Sequence, residues 1–190
     1  MKKNLGASTL VFPAPVFIVG TYNEDGTPNA MNAAWGGPCA SNPPAVSVSI
    51  RKERKTYENI LNKKAFTIGM ADEAHMAEAD YFGLVSGNNV KKFESVDMTV
   101  VKAENVDAPY IAEFPVSLEC RVLQMSEIGE HVHIIGEIVN VIADEAVLDA
   151  KGHIDIEKAK FIAYDAAANN YVEASHITGK AFSAGIPLMK

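Results

Sequence analysis

Four cationic side chains, Arg51, Lys52, Arg54 and Lys55, stand within five positions of the stretch VSIRKERKT, residues 48–56. Upstream of them Ala45 to Arg51 alternates, with Val46, Val48 and Ile50 on one side of a strand and Ser47, Ser49 and Arg51 on the other. Thr56 is placed to cap a short helix that follows, with Tyr57, Ile60, Leu61 and Lys64 on one face. A phosphate at this strand-to-helix junction would meet the free N–H groups and positive end of the helix. Ser49 would add a hydroxyl, Arg51 a bidentate guanidinium and Lys55 a movable charge. By itself such a run reads first as a solvated loop with Glu53 and Glu58 as partners.

The preceding segment changes that balance. In PNAMNAAWGG, residues 28–37, the small residues Ala30, Asn32 and Ala34 share one strand face, on which a flat ring can approach the backbone. Asn32 offers that ring both a donor and an acceptor. Trp35 and the two glycines after it turn the chain beneath, although a small-residue strand is also what a tightly packed sheet contains.

A rival constellation lies in HVHIIGE. On a strand His131, His133 and Glu137 share a face, as do the two imidazoles and carboxylate of a metal-dependent cupin. The second half of that pattern is missing, because His153 follows Gly152 without the remaining spacing. Gly-x-Ser-x-Gly, a phosphate-binding loop ending in Lys-Ser/Thr, and Gly-x-Gly-x-x-Gly after a strand are all absent, which argues against hydrolase, nucleotide triphosphatase and Rossmann readings. Cys39 and Cys120 form no Cys-x-x-Cys pair, and Cys39 is expected to be a buried, inert thiol.

The elements that must position these groups are mostly short strands. Val16 to Tyr22 and Thr27 to Trp35 read as a hairpin about the turn NEDG, and GGPCASNPP as a loop. Strands are expected over 66–70, 98–101, 116–125 and 131–142, and a helix from Asp72 that stops by Gly83 or Gly87. Tyr81 and Phe82 on that helix read as core aromatics or as a cover for a ring. The C-terminal segments IEKAKFIAYD and NNYVEAS suggest a short helix and edge strands. With no βαβ alternation, the pattern predicts a mostly β fold with some α, an antiparallel barrel with short flanking helices, spanning 1–190 as one domain.

Composition narrows the partners. The chain has 190 residues, 48% hydrophobic, a net charge of −7 and a pI near 5.2. That length suffices to bury roughly 70% of the unfolded surface. The acidic surface repels phosphate backbones and anionic lipid, so neither nucleic acid nor membrane is expected as a partner. Pro13 and Pro15 interrupt the apolar run near the start, so a strand is expected there in place of a secretory signal, and a cytoplasmic location follows.

Taken in order, VFIVGTYNEDGTPNAMNAAWGGPCASNPPAVSVSIRKERKTYENILNKKAF, GLVSGNNVKKFE, FPVSLECRV and GEHVHIIGEIVNV resemble the flavin reductase-like family, and most closely its flavoredoxin branch. The resemblance implies a six-stranded FMN-binding split barrel that forms a homodimer, with one FMN per subunit near or across the interface. It implies that Asn32, Ala33, Ala34 and Trp35 lie along the isoalloxazine ring. Ser49, Arg51, Lys55 and Thr56 would hold the phosphate and ribityl chain. Lys92 matches the cation of a family motif whose aspartate is replaced here by Lys91. Gly129 to His131 resembles a Gly-Asp-His element of nicotinamide-using relatives, with Glu130 for the aspartate, so His131 would seat a nicotinamide or stabilise reduced flavin. Three functions are thereby expected in order: an FMN-dependent oxidoreductase using NADH or NADPH, a flavoredoxin-like electron carrier, and, remotely, a cupin.

Overall fold

The computed structural model describes residues 1–189. The N-terminal half runs β1 (Ala14–Pro15), β2 (Phe17–Tyr22), β3 (Pro28–Ala33), β4 (Gly36–Ser41), β5 (Pro44–Arg51), α1 (Lys55–Lys63), β6 (Ala65–Met70) and α2 (Met76–Leu84). It continues with β7 (Val100–Lys102), β8 (Pro109–Ile111), β9 (Val116–Ile128), β10 (His131–Ala143), α3 (Ile156–Ala159), β11 (Ile162–Asp165) and β12 (Asn170–Glu173). Among the described residues no helix is long and apolar enough to cross a membrane.

The mostly β architecture is the one expected. Its main sheet is antiparallel, with strand order β3-β2-β6-β9-β10-β5-β4. This is seven strands, one more than the six implied by the resemblance. The seventh is β4, in the segment expected to be a loop. Its Pro38 is tolerated because an edge strand is hydrogen-bonded on one side only, and a register shift between Pro38 and Ala40 absorbs the irregularity.

Two cores explain why β2 is almost continuously buried. Phe17 and Val19 point into the barrel with Met31, Val48, Ile50, Phe66, Ile68 and Ile134. Ile18 and Val16 point outward and are covered by Ala79 and Phe82 of α2, with Ile111, Phe114 and Ile162. The sheet curls until the end of β3 reaches β5, where the Ser49 N–H donates to the Trp35 carbonyl at 2.7 Å. A two-stranded sheet, β7–β8, and a three-stranded one, β1–β11–β12, close over the outside.

Helix α1 begins two residues sooner than expected. Arg54 occupies the N-cap position and supplies no side-chain cap, while Thr56 lies within the helix. The buried face is Thr56, Asn59 and Ile60, whereas Leu61 is exposed. Its polar members are satisfied in the interior: Asn59 Nδ2 donates to Thr21 Oγ1 at 3.0 Å and Asn23 Oδ1 at 2.9 Å, and Asn29 Nδ2 to Thr56 Oγ1 at 2.9 Å. Buried amides so paired fix the helix against β2 and β3 more directionally than apolar contacts do. Helix α2, expected from Asp72, starts four residues later at Met76, and Asp72 Oδ1 accepts from the His75 N–H at 3.1 Å ahead of it.

Candidate functional site

Where the barrel is split, between the end of β3 and the end of β5, a cleft of about 720 Å³ opens to solvent. That size lies within the range of small-molecule sites. One wall is Met31, Asn32, Ala33, Ala34 and Trp35; the opposite wall is Ser49, Ile50 and Arg51. Arg54 lies at one end, Glu130 and His131 enter from the β9–β10 turn, and Gly83 and Tyr164 complete the rim.

Strand pairing fixes this arrangement. His131 is paired with Arg51 and His133 with Ser49, so the four side chains share the outer face of β5 and β10. His133 Nδ1 and Ser49 Oγ are 3.0 Å apart. Arg51 Nη2 lies 3.0 Å from Glu130 Oε1, and that same oxygen is 3.9 Å from His131 Nδ1. Glu130 therefore bridges the guanidinium and the imidazole. Lys55 pairs with Glu58 at 2.9 Å, and Lys52 with Glu127 at 2.7 Å, whereas among the described residues no carboxylate lies within ion-pair distance of Arg54.

A small void of about 10 Å³ adjoins Arg54 and carries Asn29, Lys55, Thr56, Ser86 and Gly87 on its walls. Gly87 is required there, because a Cβ would collide with Asn29 Oδ1. Behind it Lys92 is 3% exposed, and its ammonium donates to the Ala30 carbonyl at 2.7 Å and the Phe82 carbonyl at 2.8 Å. Burial, reinforced by the charge of Arg54, lowers its pKa to about 8.

A model of the flavin reductase like domain matches residues 8–158. The chain belongs to the flavin reductase-like family. Within it the chain falls in the flavoredoxin branch: it is similar to the flavoredoxin of Desulfovibrio vulgaris (Miyazaki F), at 44% identity and a TM-score of 0.93 over 97% of this chain and 100% of that one. Flavoredoxin from Methanosarcina acetivorans is 29% identical, with a TM-score of 0.89 over 100% and 98% of the two chains. An uncharacterized protein of Archaeoglobus fulgidus is 30% identical over 78% of this chain and 82% of its own.

In this flavin reductase-like chain the candidates divide into groups. Asn32, Ala33, Ala34, Trp35, Ser49, Arg51 and His131 line the cleft. Lys55 and Thr56 line the adjoining void, with the Thr56 hydroxyl already accepting from Asn29. Lys92 borders that void but spends its ammonium on two backbone carbonyls. Arg54, read in the sequence as part of a solvated run, belongs to both walls. Gly83 and Tyr164 had no local signal, since distant segments bring them in.

One expectation is corrected and two open alternatives are narrowed. Cys39 is exposed on edge strand β4, and Cys120 is the buried thiol, its pKa pushed up to about 12 by burial and by the charge of Glu119. Phe82 is fully buried, packed 5.3 Å from Phe93 between ring centroids, so it is core and not a cover. Among the described residues no group of three or more His, Cys, Asp and Glu is placed to hold a metal ion, so His131, His133 and Glu137 form no centre of the cupin kind.

Proposed function

We propose that the cleft holds FMN and that the protein is an FMN-dependent oxidoreductase, accepting electrons from a reduced nicotinamide or a redox carrier and delivering them to a flavin, ferric complex or protein acceptor. The observation that carries this reading is the junction at Arg54, where a cation with no carboxylate partner among the described residues and a helix end with no side-chain cap adjoin a cleft walled by Ala33 and Ala34. The residues present fit the cofactor: small side chains admit a flat ring, while the end of α1 with Arg54, Lys55 and Ser49 suits a phosphate monoester. When bound, the flavin supplies hydride and single-electron chemistry, and the protein's task is binding, orientation and electrostatics.

Each wall has its part. Asn32 to Trp35 seat the ring, and Thr56 fixes the helix start through Asn29. His131, with its Nδ1 3.9 Å from Glu130 Oε1, is the imidazole at the rim where a nicotinamide would stack. Lys92 braces the ring wall from behind, contributing charge through the backbone carbonyls it polarises.

The carrier reading is favoured by the 44% identity to a flavoredoxin. Anaerobic titration of FMN-loaded protein separates the two: bleaching by NADH or NADPH at a turnover rate supports the enzyme, and bleaching only by a redox protein supports the carrier. Failure to bind FMN stoichiometrically overturns both. A homodimer in the cytoplasm accompanies this reading; Leu123 and Ile128 at the end of the β9–β10 hairpin are 50% and 62% exposed, and a partner subunit would cover them. Light scattering at a monomer mass refutes the dimer.

A further inference from the structure

Behind the ring wall a chain of polar groups runs to Asn32 from Asp80 and Tyr171, which lie outside the motifs that carry the family likeness. Tyr171 of β12 donates its hydroxyl hydrogen to Asp80 Oδ1 at 2.8 Å. Asn32 Nδ2 donates to the Ala79 carbonyl at 2.9 Å and, more loosely, to the Tyr171 oxygen at 3.4 Å.

The directions of these bonds are forced. A carboxylate only accepts, so Tyr171 must donate to Asp80 and turn a lone pair toward Asn32. A backbone carbonyl also only accepts, so the Asn32 amide must aim its NH₂ at Ala79 and Tyr171. Burial, followed by the Asp80 contact, raises the Tyr171 pKa, which keeps the hydroxyl protonated as the chain requires. The opposite end of the amide, Oδ1, has no protein partner among the described residues, and Asn32 lines the cleft. Gly83 closes off the side of the amide, since a Cβ there would sit 3.3 Å from Asn32 Cβ.

We infer that Asp80 and Tyr171 are positioning residues that lock the Asn32 amide with its oxygen toward the cleft, so that the ligand edge seated there is an N–H edge. The inference rests on the FMN assignment for the identity of that edge. An oxidised isoalloxazine ring carries one N–H, at N3 between its two carbonyls, and this is the donor Asn32 Oδ1 accepts from. A substrate or cofactor edge bearing only acceptors is rejected, because it would leave two lone pairs facing each other.

Affinity for FMN is compared with that for 3-methyl-FMN, which lacks the N3 donor, in wild type, Tyr171→Phe, Asp80→Asn and the double variant. Wild type is expected to prefer FMN by roughly tenfold, the scale of one hydrogen bond whose acceptor is otherwise left unpaired. Each single variant is expected to lose several-fold of that preference by weakening FMN alone, and the double variant to lose no more than either single, because one chain is broken in each case. Undiminished preference in folded Tyr171→Phe overturns the positioning role while FMN binding stands. Equal binding of the two flavins by wild type overturns the N–H edge. If neither flavin binds, the FMN assignment fails together with the named edge, and the lock is decided without ligand. The ¹⁵N side-chain resonances of Asn32 must then show slow amide-proton exchange in wild type that quickens in Tyr171→Phe or, should that variant not fold, in Asp80→Asn; unchanged exchange overturns it.

Discussion

Replacing Arg54 by Ala removes the cation that touches both the cleft and the void at the start of α1. Its neighbour Arg51 is the better sequence candidate, yet Arg51 already shares its charge with Glu130 at 3.0 Å and Glu53 at 3.9 Å, and its side chain is 46% exposed. A hydrogen bond to a charged group contributes about 1.5–3 kcal/mol, which at 1.4 kcal/mol per decade corresponds to a loss of affinity between about tenfold and 150-fold. Partial solvent screening at the rim moves the expectation for Arg54 toward the lower end of that range, and for Arg51, which must leave Glu130, below it. The assay is fluorescence titration with FMN and with riboflavin, which has the same ring and no phosphate. Arg54→Ala should weaken FMN and leave riboflavin unchanged, with the FMN effect shrinking as salt is added. An equal loss for both flavins would mean that Arg54 shapes the ring wall; no loss for either would remove the phosphate from this junction.

His131→Ala should slow reduction of bound FMN by NADH or NADPH while changing FMN affinity less than the rate, and stopped-flow traces showing the reverse would move His131 into the cofactor site. The lowered pKa of Lys92, about 8 when folded against an ordinary 10.5, means that the unfolded chain holds more protons between those values. Stability should therefore rise from pH 8 to 9, by up to ~1.4 kcal/mol per pH unit, until Cys120, whose raised pKa acts in the opposite sense above pH 9, offsets the gain. Chemical denaturation across that range should show the rise in wild type and lose it in Lys92→Met; a flat wild-type profile contradicts the buried ammonium. Gly20→Ala should destabilise by about 1–3 kcal/mol, since its Cβ would collide with the Pro109 carbonyl and Thr67 Oγ1; an unchanged melting temperature would show that β8 yields.

Much of the site was legible because strand alternation is a local rule. Ser49 and Arg51 share a face in the sequence and in the sheet, and His131 and His133 fall opposite them once register is known. The register itself was not legible, since it depends on where a hairpin of two 13-residue strands bulges. Arg54 was overlooked because a threonine reads as a cap by propensity, whereas the buried bond from Asn29 to Thr56 draws that residue into the helix and moves the cap two positions back. Glycine and proline punctuation hid β4, whose only requirement is a partner on one side. Tyr171 lies 139 positions from Asn32, and no periodicity connects them.

The placement of Lys92 shows how the wall of small residues is sustained. Asn32, Ala33 and Ala34 leave room for a ring, but alanines bury too little apolar surface to hold an edge strand in place. The strand is held from behind instead: the Lys92 ammonium ties the Ala30 carbonyl of β3 to the Phe82 carbonyl of α2, and Asn32 ties β3 to the Ala79 carbonyl of the same helix. Those two anchors fall on alternate residues of one strand face, so they fix both its position and its rotation. A lysine that entered the cleft to meet a ligand would release the first anchor.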